Sequence, residues 1–99
     1  MNATERLIPS RALLTLTGND SRATIQTLER RGLLPPRVPG VGGRAAWVER
    51  EVATVIAARV AGATDDEVQE IVRKLVAARP TLCQVASAVA GDAVVRHAV

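Results

Sequence analysis

Apolar residues recur along this chain in five short blocks at helical spacing, and one stretch between them cannot be helical. Ser10 is placed to cap a first helix that runs to about Leu16 with Ala12, Leu13 and Leu16 turned inward, and Gly18 stops it. Asn19 and Asp20 are turn formers. Ser21 can cap a second helix, Arg22 to about Arg31, whose Ile25 and Leu28 lie one turn apart on the inner side. Gly32 stands where a left-handed residue is expected after a helix. Short helix, tight turn, short helix is the spacing in which a second helix can lie in a major groove with its first residues at base edges.

The non-helical stretch follows at once. Pro35, Pro36, Pro39, Gly40, Gly42 and Gly43 would each cost about 1 to 3 kcal/mol inside a helix. A strand from Arg37 to Val41, a Gly-Gly turn and a strand returning from Arg44 to Val48 fit better, and this hairpin would be a wing beside the helix pair.

From Glu49 the helical period resumes. Val52, Val55, Ile56 and Val60 form a stripe, Glu49, Arg50 and Thr54 face out, and Gly62 ends the element. Thr64 to Glu67 read TDDE, a capping box with three acids at the positive end of a helix. That helix turns Val68, Ile71, Val72, Leu75 and Val76 inward and stops before Pro80. Thr81 and Gln84 repeat the capping pattern ahead of Leu82, Val85 and Val89, with Gly91 as the stop. This last element is short and rich in small residues, so a packed helix, a dimerisation strip and an unstructured tail all stay open for it.

The expected fold class is therefore mainly α with a small β-hairpin: a winged helix-turn-helix over residues 1–62, a helical extension packed on or following it over 63–79, and a C-terminal element over 80–99. A compact part of about 60 residues buries only about 60% of its unfolded surface, so the reading head alone would be marginal.

Charge sharpens the picture. Up to Arg59 there are nine arginines against five acids, a balance of +4, while the remainder carries four basic and five acidic residues, a balance of −1. The net charge of +3 thus belongs to the segment with the helix pair and hairpin, which suits a polyanionic partner. Twelve of the thirteen basic residues are Arg, whose planar fork can grip phosphates or a guanine edge bidentately; a GC-rich genome would give the same bias.

On the second helix, Arg22, Ala23 and Gln26 are the candidate base readers, and Gln26 could read adenine through its amide. Ser21 and Thr27 are placed for the backbone, and Arg30, like Arg31, serves either DNA or the helix dipole. Arg37 and Arg44 are the candidate wing clamps. Trp47, a lone ring at the junction of hairpin and third helix, reads as a core anchor rather than a stacking platform.

Other chemistries are excluded. Asp65, Asp66 and Glu67 are explained by the capping box, without companion metal ligands. Cys83 and His97 are the only thiol and imidazole; they cannot complete a zinc site, and nothing orients them as a catalytic pair. No enzyme, cofactor or small-molecule ligand is expected. A single cysteine rules out an intramolecular disulfide, no signal peptide precedes Ser10, and no window approaches the roughly 18 apolar residues of a membrane span. The expected location is the cytoplasm, on DNA.

With these residues in place the chain resembles the AlpA family of prophage-type transcriptional regulators, related to MerR-type winged helices and phage excisionases. The resemblance covers about Arg6 to Arg79 and rests on RLI at Arg6 to Ile8, LTG at Leu16 to Gly18 and SRATI at Ser21 to Ile25. It continues in the RGLLPP run from Arg31, GGRAAW at Gly42 to Trp47 and EREV at Glu49 to Val52. Two positions depart from the family pattern, where an aromatic is replaced by Gln26 and by Leu34. The resemblance implies double-stranded DNA as partner and either promoter regulation or an excisionase role that bends DNA beside an integrase. A helical interaction module, forming a homodimer through the helices after Thr64, is the reading from another class; the two are compatible if pairing brings two heads onto half-sites.

Overall fold

Two glycines in the left-handed region, Gly18 and Gly32, both at φ 71°, divide the first third of the chain into short segments that can fold back on one another. The computed structural model describes residues 5–89. Along them run β1 (Leu7–Pro9), α1 (Ser10–Thr17), α2 (Arg22–Arg30), β2 (Val38–Pro39), β3 (Ala45–Val48), α3 (Glu49–Val60) and α4 (Asp65–Ala77). Residues 82–89 are also helical. The described residues are thus mainly helical with a small three-stranded antiparallel sheet of order β1-β3-β2.

The helix pair forms as its sequence suggests, with differences at the ends. Gly18 closes α1, and the amide of Asn19 donates back to the Leu14 carbonyl at 3.0 Å. The Ser21 hydroxyl accepts from the Ala23 amide at 3.1 Å and caps α2. At the far end the Leu33 amide returns to the Leu28 carbonyl across left-handed Gly32. Ser10, by contrast, is not a cap: it lies inside α1, whose N-cap is the extended Pro9 with no side-chain hydrogen bond. Leu16 is 48% exposed, not inward, because α1 buries its Leu13 side; Leu14 joins the core instead.

The hairpin is shorter than its composition suggests, and it has a third strand. Pairing is confined to Val38↔Ala46 and Pro39↔Ala45, so Arg37, Val41 and Arg44 lie outside the ladder. Gly40 donates to the Arg44 carbonyl at 2.7 Å. A Cβ on Gly40 would stand 2.7 Å from that same oxygen, so only glycine lets the turn close. On the other side of β3, β1 pairs Leu7↔Val48, Ile8↔Trp47 and Pro9↔Ala46. Three residues are too few to show a strand period, so β1 is invisible without its partner.

Two apolar clusters hold these elements. Ile8, Leu13, Ile25, Leu34, Trp47 and Val52 form the first, beneath the sheet and the helix pair. Leu33, Val55, Val68 and Val72 form the second, between α3 and α4. Adjacent Leu33 and Leu34 therefore point into different clusters, and Leu28 packs against both. Each fully buried aliphatic side chain contributes about 1.5 to 3 kcal/mol, and the second cluster combines Leu33 and Val55 with Val68 and Val72 of α4. The extension over 63–79 is consequently packed on the preceding segment, sharing its core, and α3 has apolar neighbours on both sides.

Two further features depart from the periodicity. Val60 is 84% exposed although it continues the α3 stripe, because α3 ends there at Ala61 and Gly62. Glu51, on the same helix, is 0% exposed. Its carboxylate accepts from Arg79 Nε at 2.7 Å and also from Nη2, and Arg79 Nη2 donates to the Pro36 carbonyl at 2.9 Å.

The TDDE capping box is present: Thr64 and Glu67 exchange bonds at 3.0 and 3.2 Å. The second box forms as well, with Thr81 and Gln84 exchanging bonds at 2.8 and 3.1 Å. Gly91 and His97 lie outside the described residues. Among the described residues no helix is long and apolar enough to cross a membrane, and no three His, Cys, Asp or Glu side chains gather as a metal site.

Candidate nucleic-acid interface

The two faces of α2 differ in chemistry because the helix has one inner ridge. Ile25 is buried and Leu28 and Glu29 are half-buried; Thr24 is exposed at one edge, and Arg22, Ala23, Gln26, Thr27 and Arg30 make up the solvent side opposite. Those five positions recur at helical spacing on one face. Thr27 donates to the Ala23 carbonyl at 3.0 Å, and Arg30 donates to the Thr27 hydroxyl at 3.3 Å, so the face is ordered by its own side chains. Ser21 sits at its N-terminal edge as the cap.

Between this face and the hairpin lies an open groove. Arg11, Arg22, Gln26, Arg37 and Arg44 line it, with Ile25 and Trp47 also in its wall. Four of the eight expected contact residues, Arg22, Gln26, Arg37 and Arg44, are thus brought into one concavity from three segments. Ala23, Thr27 and Arg30 extend it along α2.

Pairing separates the described arginines into three groups, of which Arg30, bonded to the Thr27 hydroxyl without an acid, is one by itself. Arg6, Arg31, Arg37, Arg50, Arg59, Arg73 and Arg79 all form ion pairs. Arg11, Arg22 and Arg44 have no side-chain ion pair or hydrogen bond among the described residues, and all three line the groove. Arg31 points elsewhere, to Asp65 at 3.1 Å, and Gln69 donates to its carbonyl at 2.8 Å, so it ties α2 to α4. Arg59 reaches the same Asp65 at 2.7 Å. The Arg59 hydrogen bond first, then burial acting in opposition and the charges of both guanidiniums, leave the Asp65 carboxyl below its ordinary range.

Arg37 occupies the groove in a different state from the other three. Its backbone amide donates to Glu29 Oε2 at 2.9 Å and its Nε to Oε1 at 3.2 Å. Its guanidinium lies 5.1 Å from the centre of the Trp47 ring, within cation–π range. The Trp47 indole N–H donates to the same carboxylate at 3.2 Å. Burial pushes the Glu29 carboxyl up, but the hydrogen bonds and charge of Arg37, helped by Trp47, outweigh it and hold the group below the usual glutamate range. Trp47 itself is 2% exposed, so the ring is a core anchor with one polar handle.

Three participants carry little signal in the sequence. Arg11 is an exposed position on α1, and only the approach of α1 to α2 puts it in the groove. Glu29 is eight residues from Arg37 and eighteen from Trp47, a spacing with no periodic signature. Glu51 shares a helix with its exposed neighbour Arg50, and its partner Arg79 is 28 residues away. No family model, curated protein or solved structure matches this chain.

Proposed function

We propose that this chain is a sequence-specific double-stranded DNA-binding protein of the winged helix-turn-helix type, acting as a transcriptional regulator of the AlpA kind. In this reading α2 enters the major groove, and the hairpin, with its flanks about residues 35–47, is the wing on the neighbouring backbone. The observation that carries it is the gathering of Arg11, Arg22 and Arg44, the arginines without a partner among the described residues, around one groove beside the Gln26 amide. An α-helix with its side chains is about 10 to 12 Å across, a thickness that fits a B-DNA major groove about 12 Å wide. Arg22 and Gln26 would address base edges, Arg11 and Arg44 the phosphates on either side, and Ser21, Thr27 and Arg30 the strand along α2.

Titration of a labelled duplex, recovered by selection from a random-sequence library, tests the proposal. Affinity should fall with salt at a log-log slope of about −0.9 per phosphate neutralised, and Arg44→Ala should reduce that slope by about one phosphate. Arg22→Ala should cost about 1 to 3 kcal/mol and relax the preference at one base pair. Absence of duplex binding, or binding indifferent to salt, overturns it.

A second reading concerns self-association, and a specific observation favours it. Leu82, Val85 and Val89 are 84%, 48% and 63% exposed on the helical residues 82–89. Because α4 spends Val68 and Val72 on the second cluster, the surface left for a homodimer narrows from all helices after Thr64 to this last one. Truncation after Arg79 should then lower the number of chains per particle in solution; an unchanged number removes the reading.

A further inference from the structure

We propose that Glu29 is the positioning residue of the groove: an acid behind a basic surface that strengthens specific DNA binding by aiming the hairpin at α2. The inference rests on the DNA-binding reading and deepens it.

An anion beside a phosphate-facing surface should weaken binding by simple repulsion. Glu29 nevertheless stands directly behind that surface, bonded to the lining residues Arg37 and Trp47, with its side chain only 13% exposed. Its two oxygens receive the Arg37 amide, the Arg37 guanidinium and the Trp47 indole. Arg37 immediately precedes β2 and Trp47 lies in β3, so one carboxylate on α2 holds both strands of the hairpin. β3 is also held by β1 and by the first cluster, so what depends most on the carboxylate is the stance of β2 and the turn beyond it. β2 contributes two residues to the ladder, one of them Pro39, which has no N–H to donate. Arg44 sits beyond the ladder, at the far end of the turn from this anchor. Its distance from Arg22 and Gln26 therefore depends on how the hairpin stands on α2, and the Glu29 clamp sets that stance. Arg37 acts chiefly through this clamp and Arg44 by contact.

Charge and position predict opposite signs, which makes the proposal testable with a symmetric pair of variants. Glu29→Gln adds one unit of positive charge and Arg37→Gln removes one, yet both break the clamp. The full chain is titrated against the library-selected duplex and against poly(dI-dC). Clamping predicts that both variants bind the selected duplex about tenfold more weakly, as expected for losing a hydrogen bond to a charged group, with Glu29→Gln binding poly(dI-dC) at least as well as the parent. The double variant should be no worse than the weaker single, since the two residues act as one unit. Trp47 is the sole tryptophan and the chain has no tyrosine, so its emission reports the clamp directly and should shift in both variants without DNA.

Glu29→Gln binding the selected duplex as tightly as the parent, or more tightly, overturns the proposal. So does outright unfolding of either variant, which would make the clamp a support of the fold rather than of the aim. If the parent binds no duplex, the DNA-binding reading fails by itself. The clamp is then judged by Trp47 emission and by exchange of the Arg37 amide, which Glu29→Gln must accelerate.

Discussion

Two glutamates on neighbouring helices each fasten a distant arginine, and they do different things because one is wet and the other is dry. Glu29 holds Arg37 at the rim of the groove, with side chains 13% and 41% exposed. Glu51 holds Arg79 beneath the hairpin entrance, with side chains 0% and 22% exposed. Solvent reaches the Arg37 side of the first pair and screens it, so its strength is modest and its consequence is mainly geometric. The buried one has no water to fall back on, so removing its partner leaves an uncompensated charge in the interior. The same pair of residue types thus aims the hairpin at one end and locks the C-terminal segment at the other.

The largest expected effect breaks the dry clamp. Arg79→Ala should cost about 3 to 5 kcal/mol in urea unfolding, because Glu51 and the Pro36 carbonyl both lose their donor. A loss below about 1 kcal/mol would mean that water reaches Glu51, and the contrast would collapse. Thr64→Ala comes next, at about 1 kcal/mol for the lost cap. Because α4 shares the second cluster with Leu33 and Val55, that loss should appear as a shift of one cooperative transition; a separate early transition would show the extension folding independently.

Arg37→Gln should cost about 1 kcal/mol or less at neutral pH while still weakening the proposed binding to DNA. Acid sharpens the same point. The native Glu29 carboxyl lies below its ordinary range, so its contribution is complete above that range and is lost as the pH falls through it toward the depressed native value. Urea midpoints followed from neutral to acid pH should therefore fall more steeply for the parent than for Arg37→Gln. Parallel curves would remove the electrostatic half of the clamp. The smallest effect is Val60→Ser, expected to stay within about 0.5 kcal/mol because the side chain is 84% exposed; a larger loss would show α3 continuing its packing past the end of the stripe.

Legibility in the sequence followed the range of the interaction. Ser21, Thr64 and Thr81 cap the helices they precede, and Gly18 and Gly32 close the ones they follow, since those bonds run between residues a few positions apart. The outer face of α2 was equally legible, because helical spacing decides which side Ile25 occupies and leaves Arg22, Ala23, Gln26, Thr27 and Arg30 on the other. Leu16 and Val60 marked the limit. Periodicity says which residues share a face but not where the covering surface stops.

What the sequence determined by itself, then, was the helices, their caps, the non-helical hairpin and the concentration of positive charge before Arg59. All of these are set by local backbone preference or by composition. Only the tertiary structure decided that Leu7–Pro9 would become a strand, that Leu33 and Leu34 would enter different clusters, and that Arg79 would meet Glu51. It also decided which arginines lack partners: Arg37 finds Glu29 and is occupied, whereas Arg11, Arg22 and Arg44 meet no acid among the described residues and line one groove. Whether a charge is spent or available depends on what stands within about 4 Å of it, and that distance is a property of the folded chain.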